Sequence, residues 1–140
     1  MRVLYGCLVF LLSFGCKEPS ISAGNQNREL DKTVDLDSTF ELKVGETVAI
    51  RDEQCTFTFD SVRYDNRCPE GARCRSAGDA EVVVQFADAR DTMHTYIEPH
   101  EIMYNVYTIR LMQLVPNTIV GHLHSQDEYI ATLVVTKNQE

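Results

Sequence analysis

The pair Cys68 and Cys74 is the first feature of this sequence whose spacing points to chemistry. Pro69 and Gly71 lie between them and supply one fixed and one permissive backbone angle, which lets a short loop close. A zinc site needs four ligands at recognisable spacing, and a dithiol redox site shows C-x-x-C beside a βαβ unit. Because the sequence has neither pattern, it predicts a structural disulfide between Cys68 and Cys74.

A third cysteine, Cys55, falls in an apolar alternation with Phe57 and Phe59. Residues spaced by two on a strand share one face, so these side chains should lie in the core together. We expect Cys55 to be a buried free thiol that packs as a small hydrophobic residue. Pairing of Cys55 with Cys68 or Cys74 is the alternative that the spacing leaves open.

Four arginines surround the two-cysteine loop in an otherwise acidic chain: Arg63, Arg67, Arg73 and Arg75. Such a patch can receive an anion or an acidic partner. Acidic residues interleave with the arginines, however, and surface ion pairs that stabilise little explain the same pattern. We favour the ion pairs, and we expect Arg67 to be structural, reaching back to Asp65 or to backbone carbonyls.

Two histidines, His122 and His124, are weak candidates for metal ligands. If 120–124 is extended, both rings lie on one side of the chain, as a shared ion requires. Further donors that suit copper lie elsewhere in the chain: His94, His100, Met93 and Met103. Two histidines alone do not close a site, so we interpret them as exposed loop residues and predict no bound metal.

The remaining polar residues form no recognisable enzyme pattern. The sequence shows no Ser-His-Asp set, no pair of catalytic carboxylates and no cofactor fingerprint. It therefore predicts a non-enzymatic protein without a cofactor. The chain also has a net charge of −8 at pH 7, which repels phosphate backbones and argues against nucleic acid as a partner.

The elements that must position these residues are strands almost throughout. Apolar and polar residues alternate with a period of two from Phe40 to Val135, the signature of strands with one buried face. The pattern predicts an all-β fold, an antiparallel β-sandwich or partly open barrel of about seven short strands.

Three stretches of this pattern need separate interpretation. The alternation slips by one residue near Asp60 and Ser61, which predicts a β-bulge. Residues 88–91 resemble a turn, and 94–97 a short strand. Segment 116–129 has no clear period and is either a long loop or a turn of helix before the last strand.

The N-terminal residues MRVLYGCLVFLLSFGC predict export. A single positive charge precedes an apolar run too short to span a membrane, and Gly15 precedes Cys16 as in a bacterial lipoprotein signal. We expect a signal peptide over 1–15, a lipidated Cys16 that opens a flexible polar tether over 16–37, and a β domain over 38–140. Release as a soluble secreted protein and an uncleaved anchor are the alternatives.

A resemblance to a known group adds to this picture. The residues that carry it are Asp65-Asn66-Arg67-Cys68-Pro69, Cys74, Gly78-Asp79-Ala80 and, later, 107–111, Pro116 and 129–133. They resemble small bacterial envelope lipoproteins of unknown function with an Asp-x-Arg-Cys-Pro…Cys…Gly motif. The chain departs from that pattern with Asn66 in place of Ser and Ser76 in place of Trp. The resemblance implies a lipoprotein with a stapled β domain, and it implies no activity.

Three hypotheses for function follow. The first is a non-enzymatic binding or accessory protein of the bacterial cell envelope, lipid-anchored on the periplasmic side or the cell surface, with an envelope protein as its partner. The second is a secreted Ig-like protease inhibitor, because the segment VGETV at 44–48 resembles the opening of bacterial inhibitor domains, although their inhibitory loop motifs are missing. The third is a periplasmic copper- or zinc-binding protein that uses His and Met residues.

Overall fold

The alternating residues form nine β-strands over residues 32–139, the part of the chain that the structure, a computed structural model, describes. The strands are β1 (Lys32–Val34), β2 (Thr39–Lys43), β3 (Thr47–Ile50), β4 (Thr56–Arg63), β5 (Glu81–Gln85), β6 (Arg90–His94), β7 (Glu101–Tyr104), β8 (Tyr107–Val115) and β9 (Ile130–Lys137). One 3₁₀ turn, Gln126–Glu128, precedes β9. The predicted signal peptide 1–15, Cys16 and the first part of the tether lie outside the described residues.

The strands form two sheets that enclose one apolar core. One sheet has the order β1-β3-β4-β5-β6, and the other has the order β2-β9-β8-β7. Every named pair is antiparallel except β1 with β3, which is parallel. The predicted all-β sandwich is therefore confirmed, with nine described strands in place of about seven.

The additional strands lie where sequence patterns are weakest. β1 is only three residues long and falls inside the range 16–37 that the sequence predicts as a tether, so the described fold begins before residue 38. β7 and β8 are separate strands because the chain turns at Asn105, which has a φ of 54°. The prediction of a turn over 88–91 and a strand over 94–97 was wrong: β6 begins at Arg90 and pairs with β5 over its whole length.

Cys55 lies in the core between the two sheets and is a free cysteine, as predicted. Its side chain packs in the same buried cluster as Phe57 and Phe59, which are almost completely shielded from solvent. Burial, assisted by the negative charge of Glu53, raises the pKa of the Cys55 thiol to about 11. The thiolate is the reactive form of cysteine, and a raised pKa disfavours it. We therefore interpret Cys55 as a packing residue.

Two β-bulges decide which side chains reach the core near the ends of the strands. The bulge predicted near Asp60 and Ser61 is confirmed, since the register of β4 against β5 shifts between Phe59 and Ser61. It turns Val62 inward. A second bulge, which the sequence did not indicate, shifts β8 against β9 after Leu111 and has the same effect on Leu114.

Candidate functional site at the loop end of the sandwich

Two long loops leave the sandwich at the same end. Residues 64–80 join β4 to β5, and residues 116–129 join β8 to β9. In both cases the last residue of one strand pairs with the first residue of the next, so each loop leaves and re-enters its sheet at the same end of the paired strands. We call 64–80 and 116–129 together the loop end. It contains most of the residues that the sequence marked for chemistry.

Loop 64–80 folds back on itself as a narrow ladder, and Gly78 makes the fold possible. The amide of Asn66 donates to the carbonyl of Asp79 at 2.8 Å, and the Asp79 amide donates to Oδ1 of Asn66 at 2.7 Å. Gly78 has a φ of 70°, and a Cβ placed there would lie 2.0 Å from the Asn66 carbonyl oxygen. Only glycine fits this position, which gives a physical reason for the Gly-Asp-Ala part of the motif.

The disulfide between Cys68 and Cys74 closes the tip of this ladder, as predicted, with 5.9 Å between the Cα atoms. Next to it the two loops are bonded together. The amide of Glu70 donates to the carbonyl of Thr118 at 2.9 Å, and Nδ2 of Asn117 donates to Oε1 of Glu70 at 2.6 Å. The cross-linked ring therefore sets the position of 117–118 in the second loop.

Arg67 has the structural role that the sequence predicted. Its Nε and one Nη donate to the two carboxylate oxygens of Asp65, each at 2.8 Å. The guanidinium also donates to the carbonyls of Leu114 and Pro116, each at 2.7 Å. The side chains of Arg67 and Asp65 are only 13% and 9% exposed, so this ion pair lies inside loop 64–80. The bonds from Arg67 to Leu114 and Pro116 link that loop to the end of β8 and the start of the second loop.

Tyr129 completes the cluster, which we call the Arg67 cluster: Arg67, Asp65 and Tyr129. The Tyr129 hydroxyl donates to Oδ2 of Asp65 at 2.9 Å. Burial alone would raise the pKa of Asp65, but hydrogen bonds from Arg67 and Tyr129 and the charge of Arg67 outweigh it and lower that pKa. Burial and the bond to Asp65 raise the pKa of Tyr129 to about 12.

The other three arginines do not form a free cationic patch with Arg67. Arg63 pairs with Glu81 of the next strand at 3.2 Å. Arg73 and Arg75 lie exposed on the cross-linked loop. Two of the four predicted patch residues, Arg63 and Arg67, therefore form ion pairs. This agrees with the interpretation of the arginines as surface ion pairs.

The histidines divide into two groups that lie apart. His94 contacts Asp79 through Nδ1 at 2.6 Å, and His100 contacts the His94 carbonyl at 2.9 Å. Met93 is buried in the core, and Met103 is exposed on β7. Within residues 32–139, the group of His, Cys, Asp and Glu with metal-ligand geometry consists of His122, His124 and Glu128, so neither His94 nor His100 joins it.

His122, His124 and Glu128 form what we call the histidine cluster. The two rings stand edge to face with 4.6 Å between their centroids. Oε1 of Glu128 lies 3.8 Å from Nε2 of His122 and 3.6 Å from Nδ1 of His124. Both histidines were predicted candidates, and Glu128 is the residue that sequence reasoning missed.

Glu128 had a local signal in the sequence, the pattern S-x-x-E over 125–128 that typifies a capping box. In the structure Oε2 of Glu128 accepts from the amide of Ser125 at 2.6 Å and from its hydroxyl at 3.1 Å. The bond from the Ser125 amide, then the bond from its hydroxyl and, to a smaller extent, the neighbouring His124 ring lower the pKa of Glu128. The two Ser125 bonds also leave Oε1 directed at the histidines.

The side chain of Gln126 attaches this turn to the body of the domain. Its Oε1 accepts from the amide of Val62, and its Nε2 donates to the carbonyl of the same residue, both at 2.9 Å. The Gln126 side-chain amide thus makes the two hydrogen bonds that a neighbouring strand would make with Val62, at the part of β4 that does not pair with β3. Since Gln126 lies between Ser125 and Glu128, the two ends of the cap, its bonds to Val62 hold Glu128 against the sheet.

A turn over 119–122 presents exposed apolar residues next to the histidine cluster. The His122 amide donates to the Ile119 carbonyl at 3.1 Å, and Gly121 has the φ of 77° that such a turn requires. The side chains of Ile119, Val120 and Leu123 are 53%, 68% and 95% exposed. We call these three residues the apolar tip.

No protein-family model, no curated protein and no solved structure matches this chain. Among residues 32–139 the structure contains no helix long and apolar enough to cross a membrane. The site is therefore interpreted from its own geometry.

Proposed function

We propose that this protein is a non-enzymatic, lipid-anchored component of the bacterial cell envelope that binds another envelope protein through the apolar tip. One observation supports the proposal above the others. Leu123, at 95% exposure, stands on a turn whose backbone is hydrogen-bonded to the rest of the loop end. Large apolar side chains held out to solvent contribute nothing to the core, and a grouped set of them is typical of an interaction site.

The charges around the tip favour a protein over a lipid surface as the partner. The backbone of Glu70 pairs with Ile119, and the Glu128 carboxylate lies beside His122. A bilayer with anionic head groups repels acidic side chains and attracts basic ones. Arg73 and Arg75 are exposed on the same cross-linked loop as Glu70, so the surface near the tip carries both signs of charge. The partner that fits is a protein with an apolar pocket and groups of both charges at its rim.

Photo-crosslinking in the producing cells tests this proposal. Leu123 is replaced by the photo-reactive residue p-benzoylphenylalanine, and the matched control carries the same residue at Met112. Met112 is also an exposed apolar side chain, at 55%, but it lies within β8 beside Glu98 and His100 and not in the loop end. We expect one major protein adduct from position 123 and none from position 112.

Adducts of equal yield at both positions, adducts to lipid alone, or no adduct at all would contradict binding through the tip. The lipid anchor has its own test, the replacement Cys16→Ser. We expect this variant to leave the membrane fraction, because the acyl chains attached at Cys16 supply the anchoring. Retention of the variant in the membrane fraction would contradict lipid anchoring.

A further inference from the structure

We propose that His122, His124 and Glu128 bind one divalent first-row transition cation, with Zn²⁺ as the representative ion. The three ligand atoms lie within 4.8 Å of one another. Imidazole nitrogen and carboxylate oxygen are ligands that Zn²⁺ and Cu²⁺ accept in proteins. Three protein ligands leave a fourth position for water or for a donor from another molecule.

His124 supplies the strongest argument for a site. Its side chain is only 5% exposed, and its Nδ1 is a buried atom without a hydrogen-bond partner. A buried polar atom left unpaired costs free energy, and such atoms are rare in folded proteins. The unpaired nitrogen faces Glu128 at 3.6 Å, which is too long for a hydrogen bond and leaves room for an ion between them.

The other nitrogen of His124 is held as metal-bound histidines usually are. Nε2 lies 3.0 Å from the carbonyl of Asn117, which can only accept a hydrogen bond. This contact fixes the proton on Nε2 and leaves the lone pair on Nδ1 free to bind a cation. Asn117 is held in turn by Glu70 of the cross-linked loop, so the ligand is supported by the rigid part of the loop end.

Two of the three ligand separations are close to those around a tetrahedral ion. Ligands about 2.05 Å from a tetrahedral Zn²⁺ lie about 3.4 Å apart. The Glu128 oxygen is 3.8 Å from His122 and 3.6 Å from His124, so these two distances must shorten by a few tenths of an ångström. The separation of the two histidine nitrogens is at most 4.8 Å and must close to the same value. His122 is half exposed and can rotate to provide the movement. Oε1 of Glu128 is available because Ser125 occupies Oε2.

An ion pair between doubly protonated His124 and Glu128 is the competing explanation of this geometry. It would place a proton on Nδ1 and leave no lone pair for a metal. The affinity for Zn²⁺ distinguishes the two explanations. If the ion pair is correct, loss of His122 leaves that affinity unchanged.

The test is calorimetric titration of ZnCl₂ into the untagged full-length protein in detergent. We expect one ion per chain. His122→Ala and Glu128→Gln should each weaken binding at least about tenfold. His100→Gln is the matched control, since His100 also lies partly exposed in the described fold but outside the cluster, and its affinity should equal that of the wild type. Circular dichroism checks that each variant is folded.

Absence of binding, or binding that His122→Ala and Glu128→Gln leave unchanged, would overturn the proposal. Co²⁺ provides a second readout, since four-coordinate Co²⁺ absorbs strongly in the visible range and the two ligand variants should lose that absorption. This site does not rest on the proposed protein partner. The titration contains no partner, so failure of the crosslinking experiment and failure of the metal titration are separate results.

Discussion

Two polar clusters lie side by side at the loop end and meet at Tyr129. The hydroxyl of Tyr129 donates to Asp65 in the Arg67 cluster, and its ring stands edge-on to His124 with 5.9 Å between centroids. In the Arg67 cluster both Asp65 oxygens accept hydrogen bonds, and the three guanidinium nitrogens of Arg67 donate four in all. In the histidine cluster a buried nitrogen of His124 has no hydrogen-bond partner and lies 3.6 Å from the Glu128 carboxylate.

The difference separates a group that holds the fold from a group that is available to a ligand. A buried network with every atom paired rigidifies the structure, and loss of one member leaves the others unpaired. A cluster with an unpaired atom gains when something from outside supplies the missing partner. We therefore expect substitutions in the first cluster to change stability and substitutions in the second to change binding.

The largest effect is expected for Arg67→Ala. It leaves the carboxylate of Asp65 buried without its counter-charge, and the free energy of unfolding should fall by about 3 kcal/mol. Arg67→Lys keeps the charge but loses the bidentate geometry, so its loss should be smaller. His122→Ala, in the other cluster, should change the free energy by less than about 0.5 kcal/mol. Urea denaturation measures all three, and equal losses in the two clusters would remove the distinction.

The next largest effect is expected for Gly78→Ala. The new Cβ would meet the Asn66 carbonyl in a backbone conformation that disfavours alanine, which should cost about 2–4 kcal/mol. Gly71→Ala is the matched control, because Gly71 has a φ of 76° but nothing within 4 Å of its Cβ position. The control should lose only about 1 kcal/mol. Thermal or urea unfolding that gives the same loss for both variants would contradict the steric argument.

Removal of the cross-link by Cys68→Ser with Cys74→Ser should cost about 2.4 kcal/mol, from the entropy of a seven-residue ring in the unfolded chain. The ring also positions Asn117 through Glu70, so the double variant should bind Zn²⁺ more weakly than the wild type. Denaturation and the zinc titration on the same sample give the two values. Unchanged zinc affinity would show that the second loop holds the ligand without the first.

The Arg67 cluster should make the protein less stable as the pH falls, because it contains the carboxylate of Asp65. Because the pKa of Asp65 is lowered in the folded state, its contribution is complete above its unfolded pKa of about 3.9 and is lost as the pH falls through the lower folded value. Stability should therefore decrease from about pH 5 downward, and the decrease should be smaller in Asp65→Asn. Denaturation curves between pH 2 and 6 measure it, and a parallel decrease in both proteins would exclude Asp65 as its source.

The smallest effect on stability is expected for Leu123→Ser in the apolar tip. Leu123 is 95% exposed, so the free energy of unfolding should change by less than about 0.5 kcal/mol. A loss above 1 kcal/mol in urea denaturation would show that the tip packs against the domain and is not a free surface.

The sequence predicted the sheets better than the loop end, for a physical reason. The alternation around Phe57 and Phe59 records burial directly, because every second side chain faces the core, and its slip predicted the bulge before Ser61. The pair Cys68 and Cys74 and the structural role of Arg67 were also predictable, since both depend on neighbours close in the chain.

Long-range contacts were beyond the sequence. Nothing near Arg67 indicates that it would donate to the carbonyls of Leu114 and Pro116, which are more than forty residues away.

Two local features also lacked a signal in the sequence. The second bulge in β8 carries no turn residue, and the hairpin at Asn105 lacks a glycine. Glu128 was visible as a helix cap, but its free oxygen becomes a candidate ligand only because the turn returns His122 and His124 to it.

Nuclear magnetic resonance of the histidine rings tests the central claim most directly, because all four histidines report in one ¹⁵N-labelled spectrum. We expect the ring signals of His124 to show a proton on Nε2, which donates to the Asn117 carbonyl. Addition of one equivalent of Zn²⁺ should shift the signals of His122 and His124 and leave those of His94 and His100 in place. A doubly protonated His124 whose signals do not respond to Zn²⁺, or equal changes at all four histidines, would contradict the account.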